Sequence, residues 1–374
     1  MTDLAHKQNS LLDRLESYSS CAVAFSGGVD SAVAAALLVE QGYRAEGLFM
    51  KNWEEDSQYC TSEEDYKDAL QVCDTLGIPL RSVNFSREYW DKVFKHFLDE
   101  YRDGRTPNPD ILCNTEIKFK AFLDYAIELG ADKIATGHYA RILKSGELLK
   151  LARGTDQNKD QSYFLYGLNQ EQLSRAFFPI GDWEKTTVRQ KARELGFDNY
   201  YKKDSTGICF IGERHFKEFL QRYLPAQPGD IITQDGKPVG QHEGLVYYTM
   251  GQRQGLGIGG GHGTLEQPWY VLDKKMEKNI LIVGQGHDHP DLYHRSLSCS
   301  HVHWITGKIP ESETLSAKIR YRAQDAPCKI KTTAEQSISV VFEKPQFAIA
   351  PGQSIVFYEH GICLGGAVID SRWN

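Results

Sequence analysis

Along the N-terminal half of the chain, apolar runs of strand length alternate with longer stretches in which apolar side chains recur every three or four positions. The first run, Cys21-Ala-Val-Ala-Phe25, leads into Ser26-Gly-Gly28 and then the alanine-rich stretch Ala32 to Val39, which predicts a strand, a tight turn and a helix. Gly42 fits the end of that helix, and Ala45 to Met50 fits a second strand. Glu63 to Leu76 has helical spacing through Tyr66, Leu70, Val72 and Cys73, and Leu80 to Asn84 reads as a third strand. Arg87 to Arg102 predicts an amphipathic helix with Trp90, Val93, Phe94, Phe97 and Tyr101 inward. Asn114 to Leu129 predicts another helix, followed by a fourth strand, Lys133 to Thr136, that ends in Gly137 and His138. Such alternation implies a doubly wound parallel sheet of α/β class, with ligands at the carboxyl ends of the strands, where Ser26 and Gly137 would sit.

Beyond Leu151 the periodicity loosens. Thr186 to Leu195 reads as a packing helix with Val188, Ala192 and Leu195 inward. A helix carrying Phe216, Phe219, Leu220 and Tyr223 then opens a segment of short strands and Gly-rich turns. From residue 286 onward, alternating runs at Ser316 to Arg322, Cys328 to Thr332, Ile338 to Phe342, Ser354 to Tyr358 and Cys363 to Ile369 predict a small β-barrel. The expected organisation is a catalytic domain at 1–213, a small β-rich central domain at 214–285 and a C-terminal barrel at 286–374.

Composition narrows the class. The chain has 374 residues, with 41% hydrophobic and 25% charged residues, as in an ordinary globular protein of two or three domains. Its longest apolar run is too short for a membrane helix, and the acidic, polar first twenty residues fit neither a secretory signal nor a transit peptide. Eight cysteines without paired spacing fit reduced thiols in the cytoplasm. The net charge of −7 arises in the first domain, while the two β-rich domains are close to neutral, so any RNA contact must come from local clusters.

The candidate chemistry begins at the loop. Gly27 and Gly28 allow a sharp turn and close approach of backbone N–H groups to an anion at the start of the next helix. Ser26 and Ser31 could add hydroxyl donors, while Asp30 could hold a metal ion or cap the helix. No lysine stands where a Walker loop needs one. Between two predicted helices, Gly104-Arg-Thr-Pro-Asn-Pro-Asp-Ile-Leu-Cys113 would deliver Asp110 and Cys113 to a helix start, where a thiol loses its proton more readily. Asp110 could act as a general base, orient a substrate or form a turn. Lys159-Asp-Gln161 reads equally as solvated loop or RNA contact, and Gly207 gives Cys209 a flexible setting. The histidines at 287, 289, 294, 301 and 303 lack matching Cys or carboxylate spacing, so no metal site is expected.

Ser-Gly-Gly-Val-Asp-Ser31 resembles the loop of the ATP pyrophosphatase (PP-loop) superfamily. Taken with Leu48-Phe-Met-Lys-Asn-Trp53, Asn108 to Cys113, Ala135-Thr-Gly-His-Tyr139, Lys159 to Gln161 and Ser205-Thr-Gly-Ile-Cys209, it resembles the tRNA-specific 2-thiouridylase family. The likeness runs from about Cys21 to the C-terminus. It departs in a polar N-terminal extension, in Phe25 where Met is usual and in Ala32 after the loop. The resemblance implies that ATP lies along Ala24, Phe25, Ser26, Gly27, Gly28, Val29, Asp30 and Ser31, with Met50 and Gly137 closing the site and Mg²⁺ offsetting phosphate charge. It implies adenylation of the C2 oxygen of a wobble uridine, then sulfur transfer from a persulfide on Cys209, with Asp110 and Cys113 catalytic and a Cys113–Cys209 disulfide releasing the product. A persulfide relay protein or cysteine desulfurase would supply the sulfur. The tRNA contacts it implies are Asn108, Pro109, Asp110, His138, Lys159, Asp160, Gln161, Arg320, Tyr321 and Gln353. Two other chemistries remain open: an adenylating amide ligase, and an iron–sulfur cluster held by Asp110, Cys113 and Cys209.

Overall fold

The computed structural model describes residues 20–54, 62–203, 216–225, 227–258, 267–312, 314–334 and 336–374. Its strands, in chain order, begin with β1 (Ser20–Phe25), β2 (Arg44–Lys51), β3 (Leu80–Asn84) and β4 (Lys133–Ala135). A hairpin follows, β5 (Ala140–Ser145) and β6 (Leu148–Arg153), and then the two-residue β7 (Ala176–Phe177). The first sheet has the order β3-β2-β1-β4-β7, and its strand pairs are parallel. Val, Ala and Phe in β1 are buried on both faces, as a parallel sheet covered by helices requires. One face packs Val23 and Phe25 against the helix Val29–Glu40, and the other packs Ala22, Ala24 and Leu48 against Phe97, Ile111, Cys113 and Ile117. The expected doubly wound α/β arrangement is thereby met.

The expected helix at Arg87 to Arg102 is continuous but changes pitch, with a π-helical stretch at Trp90–Phe94. The next helix starts earlier than expected, at Pro109, and is π-helical over Cys113–Ala121 before returning to α at Phe122–Glu128. Between Gly137 and Leu151, where no element was expected, the chain forms the hairpin β5–β6, which leaves the catalytic domain and joins the C-terminal sheet.

The central sheet comprises β8 (Gly229–Thr233), β9 (Pro238–His242), β10 (Trp269–Lys275) and β11 (Ile280–Gln285) in the order β10-β11-β8-β9. Six further strands form the C-terminal barrel: β12 (Tyr293–Trp304), β13 (Leu315–Lys318), β14 (Ala326–Ala334), β15 (Ser337–Phe347), β16 (Ser354–Glu359) and β17 (Ile362–Trp373). They run β12-β15-β14-β13-β16-β17, and pairing of β12 with β17 closes the ring around Leu297, Val340, Phe342, Ile355, Phe357 and Ile369. Strand β6 then pairs with β17, Ala152 opposite Ile362 and Leu151 opposite Cys363, so the catalytic domain and the barrel share one sheet. Among the described residues, no helix is long and apolar enough to cross a membrane.

Candidate active site

The glycine loop leaves the carboxyl end of β1 in the middle of the parallel sheet. Gly27 adopts φ +70°, and a Cβ there would lie 2.5 Å from Asp65 Cα, so both its conformation and its crowding demand glycine. Gly28 precedes the helix Val29–Glu40 in extended conformation and offers it no side-chain cap, so the first-turn N–H groups face outward beside the exposed Ser26. Ser31 is turned inward, its hydroxyl donating to Gly28 O at 3.0 Å, which shapes the loop. Asp30 does not cap the helix. Its carboxylate accepts from Lys185 Nζ at 2.8 and 2.9 Å and from Tyr139 Oη at 2.8 Å. Lys185 opens the helix Lys185–Glu194, expected to be packing alone, and it is buried. A helix N-terminus with a bare carboxylate in its first turn would repel phosphate, and the ammonium cancels that charge.

The loop is braced on two further sides. Asn199 donates to Gly27 O at 3.2 Å, and Lys202 bridges Asp65 and Asp68 at 2.7 and 2.6 Å, holding the helix Ser62–Leu76 against the glycine turn. Gly137 lies against the far side, where a Cβ would come within 2.7 Å of Asp30 C and Ser31 N. Met50 sits on β2 beside β1, partly buried and packed against the same core as Ala24.

Asp110 and Cys113 approach this region from the helix that begins at Pro109. Asn108 caps it, its side-chain oxygen accepting from Asp110 N at 3.1 Å, with Pro109 at the first helical position. Cys113 therefore lies one turn inside the helix rather than at its start, and it is 3% exposed. Burial pushes the Asp110 carboxyl up to about 6, and the Lys118 ammonium partly opposes that rise. Burial, with Lys118 acting in the same direction, pulls His138 well below the imidazole range, so it is neutral at pH 7. His138 Nδ1 lies 2.7 Å from Thr136 Oγ1, and its ring packs beside Phe119 of the Cys113 helix. Lys118 thus faces both Asp110 and His138, a neighbour that sequence reading missed because it resembles any solvent-facing helix lysine.

The other expected contacts have internal partners. Asp160 is buried and accepts from Gly154 N and Ser162 N at 3.2 and 3.1 Å, folding its own loop. Gln161 binds Tyr139 N at 3.0 Å. In the barrel, Arg320 donates to Phe347 O and Ala348 O, both at 2.8 Å, Tyr321 packs on Phe164, and Gln353 reaches Thr106 O at 2.6 Å. Lys159 and Pro109 are partly exposed. Cys209 and the whole stretch Ser205 to Cys209 lie outside the described residues.

A parallel sheet with an uncapped glycine loop at its centre, followed by a small β domain and a closed barrel, defines a HUP-type α/β nucleotide-binding protein with two β appendages. Three family models divide the chain in this way: a "tRNA methyl transferase HUP domain" matches residues 19–213, a "tRNA methyl transferase PRC-barrel domain" matches 217–285, and an "Aminomethyltransferase beta-barrel domain" matches 294–369. Among curated relatives, the tRNA-specific 2-thiouridylase MnmA of Methylococcus capsulatus is 59% identical over 357 residues, covering 94% of this chain and 96% of that protein. Its namesakes in Pseudomonas putida (56% over 352 residues, 93% and 94% covered) and Citrobacter koseri (58% over 362 residues, 96% and 98% covered) agree. The chain belongs to the tRNA-specific 2-thiouridylase family, MnmA.

Proposed function

We propose that this chain thiolates the C2 position of a wobble uridine in tRNA, using ATP and a persulfide sulfur. The observation that carries this reading is an uncapped helix N-terminus after β1, with its first-turn carboxylate neutralised by Lys185, on the same sheet against which the helix bearing Asp110 and Cys113 packs. The loop N–H groups and Ser26 hold the ATP phosphates, Met50 lies against the adenine, and Gly137 lets the end of β4 close on the loop. Mg²⁺, held by the nucleotide's own phosphates since Asp30 is paired with Lys185, would offset phosphate charge.

Asn108, Pro109 and Asp110 position the base, with Lys159 and Gln161 beside it and Arg320 and Tyr321 on the barrel side. The uracil C2 oxygen attacks the α-phosphorus and pyrophosphate leaves, so a poor leaving group becomes AMP. Asp110, pushed up to about 6 by burial, is suited to take a proton in that step and return it. The terminal sulfur of a Cys209 persulfide then attacks C2 and expels AMP. Attack of the Cys113 thiolate on Cys209 Sγ forms a disulfide between them, and the second sulfur leaves on the base as 2-thiouridine. A relay protein or desulfurase must recharge the site after reduction of that disulfide, in a reducing compartment such as the cytoplasm.

The test is mass spectrometry of tRNA nucleosides after incubation with ATP and a persulfide donor. Wild type should produce 2-thiouridine with stoichiometric AMP and pyrophosphate, and Cys209→Ala should not. Absence of thiolated uridine with the wild type would refute the reading.

A further inference from the structure

The loop leading to Asp110 and Cys113 is bracketed by a turn of the barrel. Thr106 N donates to Pro351 O at 2.9 Å, and Gln353 Nε2 donates to Thr106 O at 2.6 Å, so both backbone groups of one loop residue are held by the same turn. That turn is fixed in its own domain: Gly352 N donates to Ile369 O at 2.8 Å and Ile369 N to Gln353 O at 2.9 Å. Gly352 has φ +87°, and a Cβ on it would lie 2.7 Å from Thr106 N. The opposite side of the loop meets the central domain, where a Cβ on Gly104 would strike Met276 and Thr106 Oγ1 lies 3.4 Å from Thr249 Oγ1. Arg105, between them, pairs with the buried Glu100.

What happens at Thr106 must reach the reacting groups. Thr106 precedes Pro107 and Asn108 precedes Pro109, so φ is locked at both prolines and the preceding residues are restricted in turn. A shift at Thr106 is therefore passed on to the Asn108 cap and along the helix to Cys113 rather than absorbed.

We propose that Gln353 is a positioning residue for the thiolation reaction: through Thr106 it sets the placement of Asp110 and Cys113, so the barrel acts on the chemistry as well as on RNA. This inference rests on the function proposed above. It is tested with two full-length variants, Gln353→Ala, which removes one arm of the bracket, and Gly352→Ala, which forces the turn off Thr106 while leaving the Gln353 side chain in place. Three quantities are measured in each: tRNA Kd by filter binding, the thiolation rate at saturating ATP and tRNA, and the rate at which iodoacetamide labels Cys113 in tRNA-free protein, read by peptide mass spectrometry.

Both variants should lose roughly tenfold in saturated rate, within the range that a displaced catalytic group costs, whatever change in tRNA Kd accompanies it. Both should label Cys113 several-fold faster than wild type. A Gln353→Ala protein that binds tRNA about tenfold more weakly yet keeps wild-type saturated rate and Cys113 labelling would overturn the proposal, since Gln353 would then act by touching RNA. So would wild-type labelling in Gly352→Ala. If Gly352→Ala does not fold, as judged by its thermal melt, Gln353→Ala decides alone. If wild type makes no 2-thiouridine, the functional reading fails separately, because the labelling comparison needs neither tRNA nor turnover.

Discussion

Burial holds the Asp110 carboxyl at a pKa of about 6, above its ordinary 3.8, so the folded protein binds that proton more tightly than the unfolded chain does. The resulting stability is present in full below pH 3.8, is lost as pH rises to about 6, and stays lost above it. Asp110→Asn should therefore raise the melting temperature at pH 8, by the equivalent of about 1–2 kcal/mol for a partly exposed side chain, and change it little at pH 3.5. The same variant should lower thiolation by roughly 10²-fold and remove an acid limb near pH 6 from the rate profile. A melt unchanged at pH 8 would contradict the burial argument. Lys185 makes a second prediction at this scale. Lys185→Met leaves Asp30 as an uncompensated carboxylate beside the phosphate loop, so the KM for ATP in tRNA-dependent pyrophosphate release should rise at least about tenfold, with a loss of about 2–3 kcal/mol in stability. The sequence could not disclose this lysine. It lies 155 positions from Asp30, at the head of a basic helix in which nothing in the sequence sets it apart from Arg189, Lys191 and Arg193. The one clue was the loop itself, which carries an acid where other phosphate loops carry a base.

The elements that position these residues were legible where their period was clean. The alternation from β1 to β4 and the glycine turn could be read because a buried parallel strand is a continuous apolar run and its helices have one apolar face. The hairpin β5–β6 was not, since Ala140-Arg-Ile-Leu-Lys-Ser145 follows neither period. It is half covered by the domain and half by the barrel, and so has no single inner face. Strand β12 escaped for a related reason: its serines and histidines hide a pattern in which Leu297 and Cys299 alone point deep into the barrel. The start of the Cys113 helix was misplaced because two prolines suggested loop, whereas Pro109 is the first helical residue behind an Asn cap. Gly137 shows how an element and a loop constrain each other. The end of β4 can approach the glycine loop because residue 137 has no side chain; Gly137→Ala would place a methyl against the Asp30 and Ser31 backbone, which cannot swing aside. Gly137→Ala should fold, with ATP KM raised about tenfold or more in pyrophosphate release. An unchanged KM would show that the loop yields.

Across the whole molecule, the catalytic domain and the barrel are one mechanical unit. Strand β6 completes the barrel sheet at β17, Tyr163 Oη donates to Ser354 O at 2.8 Å, and Tyr166 Oη meets Ser354 Oγ at 3.1 Å, all of them buried. Arg153 stacks 3.9 Å over the Tyr358 ring while donating to both Asp325 oxygens at 2.9 and 2.7 Å. Two tyrosine hydroxyls at this seam are buried against partners on the other side, so deleting either one leaves its buried partner short of a hydrogen bond. The division of charge in the sequence, acidic first and near neutral afterwards, reports the surface and says nothing of this seam. The contact structure predicts that calorimetry of the full chain shows the catalytic domain and barrel melting in a single transition. Tyr163→Phe, which leaves Ser354 O unpaired, should shift that whole transition down by about 1–2 kcal/mol rather than split it. A barrel transition resolved from that of the catalytic domain, or one left in place by Tyr163→Phe, would mean that the shared sheet does not couple them. The route from barrel to Cys113 would then have to run through the Thr106 bracket alone.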